Sequence, residues 1–351
     1  MVALARATQE RMAVLDEGWA ANVAHGAAFA RHGGDNLPTR SHKERPAQAR
    51  SRPGEMVSVG NHKLHIRCMG EGSPTVILES GAPAISIEWS AWVQPEVAKA
   101  TRVCAYDRAG LGWSETGPTP RDAEQITSEL HALLENAGVE GPYVLVGHSV
   151  GGHHVRVYAE SYPDEVAGMV LVDATHPEQF ERVPGMESGR KMLSVMSGVG
   201  PVLAATGVMR LSRKFPPPSG LPPLQRKHVE NLTYQTPHLI AAFKEYGALA
   251  EAMEQARSTH GLADKPLAVV SASDHGGGMM AHSGVEAEQS EQAAQTLQSE
   301  LANLSSNSTR RVIEGSDHGS VITNQHHAQQ TSEEMLTVVE AVRTGQSLEE
   351  Q

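Results

Sequence analysis

The stretch Gly147-His148-Ser149-Val150-Gly151-Gly152 constrains this chain more than any other. It follows a short apolar run, residues 143–146, and precedes a helix-compatible stretch, residues 153–161. A strand, a Gly-x-Ser-x-Gly turn and a helix make a sharp elbow that holds a serine hydroxyl out at the end of a strand. Such a turn strains the serine backbone and admits only small neighbours, and Gly147 and Gly151 supply that room. The helix starting there aims free N–H groups and its positive dipole end at developing negative charge. Ser149 is therefore the candidate nucleophile. An alkoxide is too basic to exist free at neutral pH, so Ser149 needs a base to take its proton.

Around this elbow the chain alternates between two periodicities. Residues 56–59 and 63–68 read as strands joined by the hairpin signal Gly60-Asn61-His62. Residues 75–78, 103–106, 166–172, 267–271 and 311–313 read as further strands, almost wholly apolar where a parallel sheet would bury both faces. Thr119-Pro120-Arg121-Asp122 reads as a helix start with a cap and a proline at the first position. Residues 329–343 read as a closing amphipathic helix with Met335, Val338, Val339 and Val342 along one stripe. Strands alternating with helices predict an α/β fold: a mainly parallel, eight-stranded sheet with helices on both faces. Residues 55–175 and 265–351 would form this core. Residues 176–264, rich in helix formers and interrupted by Phe215-Pro216-Pro217-Pro218, would form a helical cap over the elbow. Residues 1–54, alanine-rich and then rich in Pro, Gly and charge, read as a helical arm and linker that packs on the main domain or on a second subunit. The arm leaves a homo-oligomer open.

Composition removes several function classes. The net charge of −12 and the lack of a Lys- or Arg-rich run argue against nucleic acid and against adhesion to acidic membranes. No segment approaches about 18 uninterrupted apolar residues, so no integral membrane segment is expected. Arg6, Glu10, Arg11, Asp16 and Glu17 break up any apolar leader, and the chain reads as cytoplasmic. Two cysteines, Cys68 and Cys104, rule out a disulfide-rich scaffold and read most simply as buried thiols. The histidines lack carboxylates at ligand spacing, so no metal is expected.

From residue 55 to about residue 345 the chain resembles the α/β-hydrolase superfamily, in particular its serine esterase-like branch with a helical cap. The resemblance rests on Val76-Ile77-Leu78-Glu79-Ser80-Gly81-Ala82, on Tyr106-Asp107-Arg108-Ala109-Gly110-Leu111-Gly112-Trp113-Ser114, on the elbow, on Leu171-Val172-Asp173-Ala174 and on Ser316-Asp317-His318-Gly319. It implies a serine–acid–histidine order along the chain. Ser149 would be the nucleophile and His318, after the last strand, its base. Asp274, after the strand at 267–271, would be the acid that orients His318, with Asp173 at the end of the previous strand as the alternative. The backbone N–H groups of Val150 and Ala82 would form the oxyanion hole, and His148 and Gly81 would line the substrate pocket. The family often has a histidine before Gly81, where this chain has Glu79-Ser80. Asp107 and Arg108 would be salt-bridged, and the loop Gly276-Gly277-Gly278-Met279-Met280 would be mobile. The family's sheet order also brings the strands of Cys68 and Cys104 together and leaves a disulfide open. The implied activity is cofactor-independent cleavage of a small to medium, largely apolar carboxylic ester through an acyl-enzyme. Lactone, amide, peptide and C–C bond hydrolysis remain open, as does a catalytically silent small-molecule-binding protein.

Overall fold

Alternating side chains in the central strands sort themselves into two cores, one on each side of a sheet. A computed structural model of the chain describes residues 52–212, 216–275 and 285–348. The strands are β1 (Glu55–Ser58), β2 (Lys63–Met69), β3 (Thr75–Glu79), β4 (Val103–Asp107), β5 (Tyr143–His148), β6 (Val166–Val172), β7 (Leu267–Asp274) and β8 (Ser308–Asp317). They form one eight-stranded sheet in the order β1-β2-β4-β3-β5-β6-β7-β8. The β1–β2 and β2–β4 pairs are antiparallel and all others are parallel. The helices are α1 (Ser86–Trp89), α2 (Val93–Val97), α3 (Ala123–Asn136), α4 (Gly151–Ser161), α5 (Gln179–Arg182), α6 (Met186–Ala205), α7 (Val208–Ser212), α8 (Pro223–Thr233), α9 (Thr236–Arg257), α10 (Val285–Leu301), α11 (Ser320–Thr323) and α12 (Gln325–Thr344).

Ile77, Leu145, Leu171 and Val269 point to one face, where Leu130, Leu133 and Leu134 of α3 and Val155 and Tyr158 of α4 cover them. Val76, Val144, Val170 and Ala268 point to the other, beneath Val93 and Val97 of α2 and Met335, Val338 and Val339 of α12. This two-sided burial explains why these strands read as continuous apolar runs. Among the described residues, five helices, α5 to α9, stand between β6 and β7. No helix among the described residues is long and apolar enough to cross a membrane. The expected arm lies almost wholly outside the described residues, and so does the glycine-rich loop after His275.

Three local expectations change. The helix expected from Thr119 begins at Ala123, because Asp122 is the cap and accepts a hydrogen bond from Gln125 N. The last strand runs from residue 308 to 317 rather than 311 to 313. It is an edge strand, partly exposed along much of its length, so its sequence lacks the apolar run of a central strand. Finally, Cys68 and Cys104 are not buried thiols but a disulfide. They are directly opposite on antiparallel β2 and β4, with Cα atoms 4.0 Å apart.

The bridge closes a sequence separation of 36 residues. Replacing both cysteines by alanine should lower the unfolding free energy by about 2–4 kcal/mol, read from denaturant melts. A thiol titration of unreduced, denatured protein should find no free thiol. Two titratable thiols in that sample would show that the bridge does not form.

Candidate active site

The elbow between β5 and α4 takes its shape from close backbone contacts. A Cβ at Gly147 would lie 2.7 Å from Gly151 O, and one at Gly151 would lie 2.8 Å from Glu79 O and Ser80 O. Neither position accommodates a side chain. Ser149 itself sits at φ +56, in the left-handed region. Its N–H donates to Val172 O, and its carbonyl accepts from Gly152 N and Thr175 N at 3.0 and 2.9 Å. These bonds hold a conformation that costs a non-glycine residue about 1–2 kcal/mol. A Cβ at Gly81 would come within 2.8 Å of the Ser149 Cβ, so the loop after β3 lies directly against the serine.

The partner of His318 is Asp173, not Asp274. His318 Nδ1 lies 2.6 Å from Asp173 Oδ2. Asp173 follows β6 in another left-handed turn, φ 43, which tucks its side chain in until 1 % remains exposed. Asp274 ends β7 beyond a register irregularity, opposite Asp317 and exposed to solvent. The residue that reaches the site from that strand end is its neighbour His275. Its Nε2 lies 2.8 Å from Asp173 Oδ1, and its Nδ1 lies 2.8 Å from Glu291 Oε1 on α10. Ala272 N also donates to Asp173 Oδ1. Two histidines thus share one buried carboxylate, and a second carboxylate backs one of them.

Both ring nitrogens of His275 face carboxylate oxygens, an arrangement suited to an imidazolium that donates twice. Burial pulls its pKa down, but hydrogen bonds and charge from Asp173 and Glu291 outweigh that and lift it to about 9. Burial alone would raise the Asp173 pKa; its bonds to His275 and His318 instead hold it far below the usual carboxylate range. Neither His275 nor Glu291 was legible in the sequence. The only signal was a histidine one residue past the expected acid.

Ser149, His318, His148, Gly81 and Ala82 line one cavity of about 580 Å³. His148 Nε2 donates to the His318 carbonyl at 2.8 Å, and the two rings stack with centroids 4.7 Å apart. Burial, with the neighbouring His318, drives the His148 pKa down to about 3, so it stays neutral and fixes the His318 backbone. Val150, the residue after the serine, is the N-cap of α4. Tyr246 OH of α9 donates to Ala82 O at 3.3 Å. Glu88 also lines the cavity; burial lifts its pKa to about 7 against the pull of the Ile85 N–H. The far wall is apolar and comes from the α5–α9 segment, including Val229, Leu239 and Phe243.

Arg108 is salt-bridged, and Asp107 is held by a histidine and two backbone N–H groups. Asp107 pairs with His65 at 3.1 Å and accepts from the N–H groups of Ser86 and Trp113. Arg108 pairs with Glu79 at 2.7 Å and with Glu245 of α9 at 2.8 Å, and donates to the carbonyls of Ser80 and Gly81. It therefore ties the loop beside Ser149 to α9. Glu79 also takes His154 and the Tyr106 hydroxyl, and Ser80 Oγ takes Trp89 Nε1. In this chain the Glu79-Ser80 pair fills a hydrogen-bonded role under the loop.

A family model described as alpha/beta hydrolase fold matches residues 74–325. Among curated proteins, the chain is 31% identical over 137 residues to a probable transporter, efuK, of Hormonema carpetanum, covering 37% of this chain and 20% of that protein. It is 36% identical over 106 residues to the bifunctional esterase/perhydrolase DCH of Acinetobacter calcoaceticus, covering 30% and 38%. The chain thus spans well under half the length of these relatives. Among solved structures it is similar to a thermophilic esterase from Thermogutta terrifontis, with TM-score 0.54, 20% identity and coverage of 81% and 98%. That likeness is one of fold.

The raised pKa of His275 has a sign. A histidine whose pKa rises on folding stabilises the fold fully below its unfolded value near 6.5, and the gain is lost as pH rises through about 9. His275→Gln should therefore destabilise the protein most at pH 6, by up to about 3 kcal/mol, with the gap to wild type narrowing towards pH 9. Denaturant melts across that range would show it. A gap that does not change with pH would refute a charged His275.

Proposed function

The chain belongs to the alpha/beta hydrolase fold family, and on that premise we propose that it is a serine hydrolase of carboxylic esters. One observation carries this reading: Ser149 and His318 line the same cavity, and His318 holds its Nδ1 against the buried Asp173. Ser149 Oγ attacks the ester carbonyl while His318 Nε2 takes its proton. Asp173, in the role expected of Asp274, keeps the Nδ1–H tautomer and stabilises the imidazolium. The N–H groups of Val150 and Ala82 receive the oxyanion. His318 then returns the proton to the leaving alkoxide, and water clears the acyl-enzyme through the same base.

The α5–α9 segment acts as a cap. Its Val229, Leu239 and Phe243 favour an apolar acyl or alcohol group of small to medium size. Glu88, whose pKa burial lifts to about 7, offers a hydrogen-bond donor at the cavity wall when protonated. The Cys68–Cys104 bridge favours an oxidising compartment over the cytoplasm.

A fluorophosphonate probe tests the central step. Wild type should gain one adduct by intact mass, and Ser149→Ala none. On p-nitrophenyl esters, Asp173→Asn should lower kcat by about 10³–10⁴-fold, whereas Asp274→Asn should stay within about threefold of wild type. The reverse ranking would return the acid to Asp274. An unlabelled but folded wild type would leave a binding protein as the better reading.

A further inference from the structure

Helix α6 carries its polarity inside out. Its small residues Gly200 and Ala204 are buried, and a Cβ at Gly200 would strike the ring of Phe243 on α9 at 2.5 Å. Its larger apolar residues point to water: Met192 is 58% exposed, Val195 65%, Val199 48% and Val202 65%. Steps of three and four residues keep them on one face. In α7 the same exposure continues at Val208 and Leu211, 57% and 87%. Scattered exposed apolar side chains need no explanation, but an ordered stripe of them marks a surface that meets something.

Charge indicates what that is. From Ser188 to Val229 the sequence holds no Asp or Glu and seven Lys or Arg. Five of these are described: Arg190, Lys191, Arg210, Arg226 and Lys227, all exposed, with Lys191 bridged to Glu187 at 2.8 Å. The chain as a whole carries −12, so with this segment at +7 the remainder carries −19. The mean charge that argued against acidic membranes conceals a cationic segment that carries this apolar stripe. A second copy packed face to face would set like charges together. An anionic lipid surface answers both properties at once, through apolar insertion and electrostatic attraction.

We propose that the exposed face of α6 and α7 docks on anionic lipid bilayers. Met209, between Val208 and Leu211, lines the cavity that holds Ser149. Docking therefore seats the cavity wall at the membrane. The proposal goes beyond ester hydrolysis and does not depend on it.

Full-length protein would be sedimented with sucrose-loaded phosphatidylcholine vesicles with and without about 30 mol % phosphatidylglycerol. Wild type should partition at least about tenfold more to the anionic vesicles, and about 0.5 M NaCl should reverse most of that gain. Val195→Glu/Val202→Glu/Leu211→Glu should lose about tenfold or more of the binding while keeping wild-type circular dichroism and any activity on a soluble ester. Lys191→Glu/Arg210→Glu, which leaves the apolar stripe alone, should also weaken it. Ser149→Ala should bind like wild type, which separates docking from catalysis. Equal partition with and without anionic lipid would overturn the proposal. So would undiminished binding by both variants, or a wild-type dimer in sedimentation velocity that ignores vesicles and that the glutamate variant splits.

Discussion

A buried carboxylate at Asp173 organises the site. An ionised carboxyl with 1 % of its side chain exposed persists only when its oxygens are satisfied by donors. Here His318 meets one oxygen, while His275 and the Ala272 N–H meet the other. These donors come from the ends of β7 and β8, so one charge at the end of β6 draws together three neighbouring strands. Glu291 then recruits α10 through His275. The orientation of the His318 ring is thus a consequence of satisfying Asp173.

A second buried ion network, centred on Arg108, does the corresponding work on the other side of the serine. Arg108 joins Glu79, Glu245 and the carbonyls of Ser80 and Gly81. Removing one member would strand an uncompensated charge, which is why such networks act as registers. Through it the α9 helix, which also supplies the cavity wall, is locked to the loop that faces Ser149. Cavity shape and the proposed oxyanion site are therefore coupled by a guanidinium rather than by apolar contact alone.

Much of this was legible because local sterics and periodicity write it directly. Glycines at 147 and 151 are demanded by contacts under 3 Å, so the elbow can be read from spacing. Strands buried on both faces advertise themselves as apolar runs, and β3, β5, β6 and β7 were all visible. Asp274 was favoured over Asp173 as the partner of His318 because both end strands, and strand ends look alike in sequence. Which carboxylate turns inward depends on a left-handed turn at one and a register irregularity at the other. The apolar stripe of α6 and α7, set in a cationic segment, escaped for a different reason: net charge averages over the chain, whereas attraction acts locally.

The sequence by itself determined the elbow, the alternation of strands and helices, the sheet's two-sided core, and the place of Ser149 and His318 along the chain. These follow from short-range rules: backbone strain, side-chain period and capping. Only the tertiary structure decided that Asp173 rather than Asp274 meets His318, that His275 and Glu291 stand behind it, that Cys68 faces Cys104, and that α6 turns its larger apolar residues outward. Each of these pairs groups far apart in sequence or chooses between two faces of one element. Such choices are made by which arrangement leaves the fewest buried charges unpaired and the densest core, and no local rule contains that comparison.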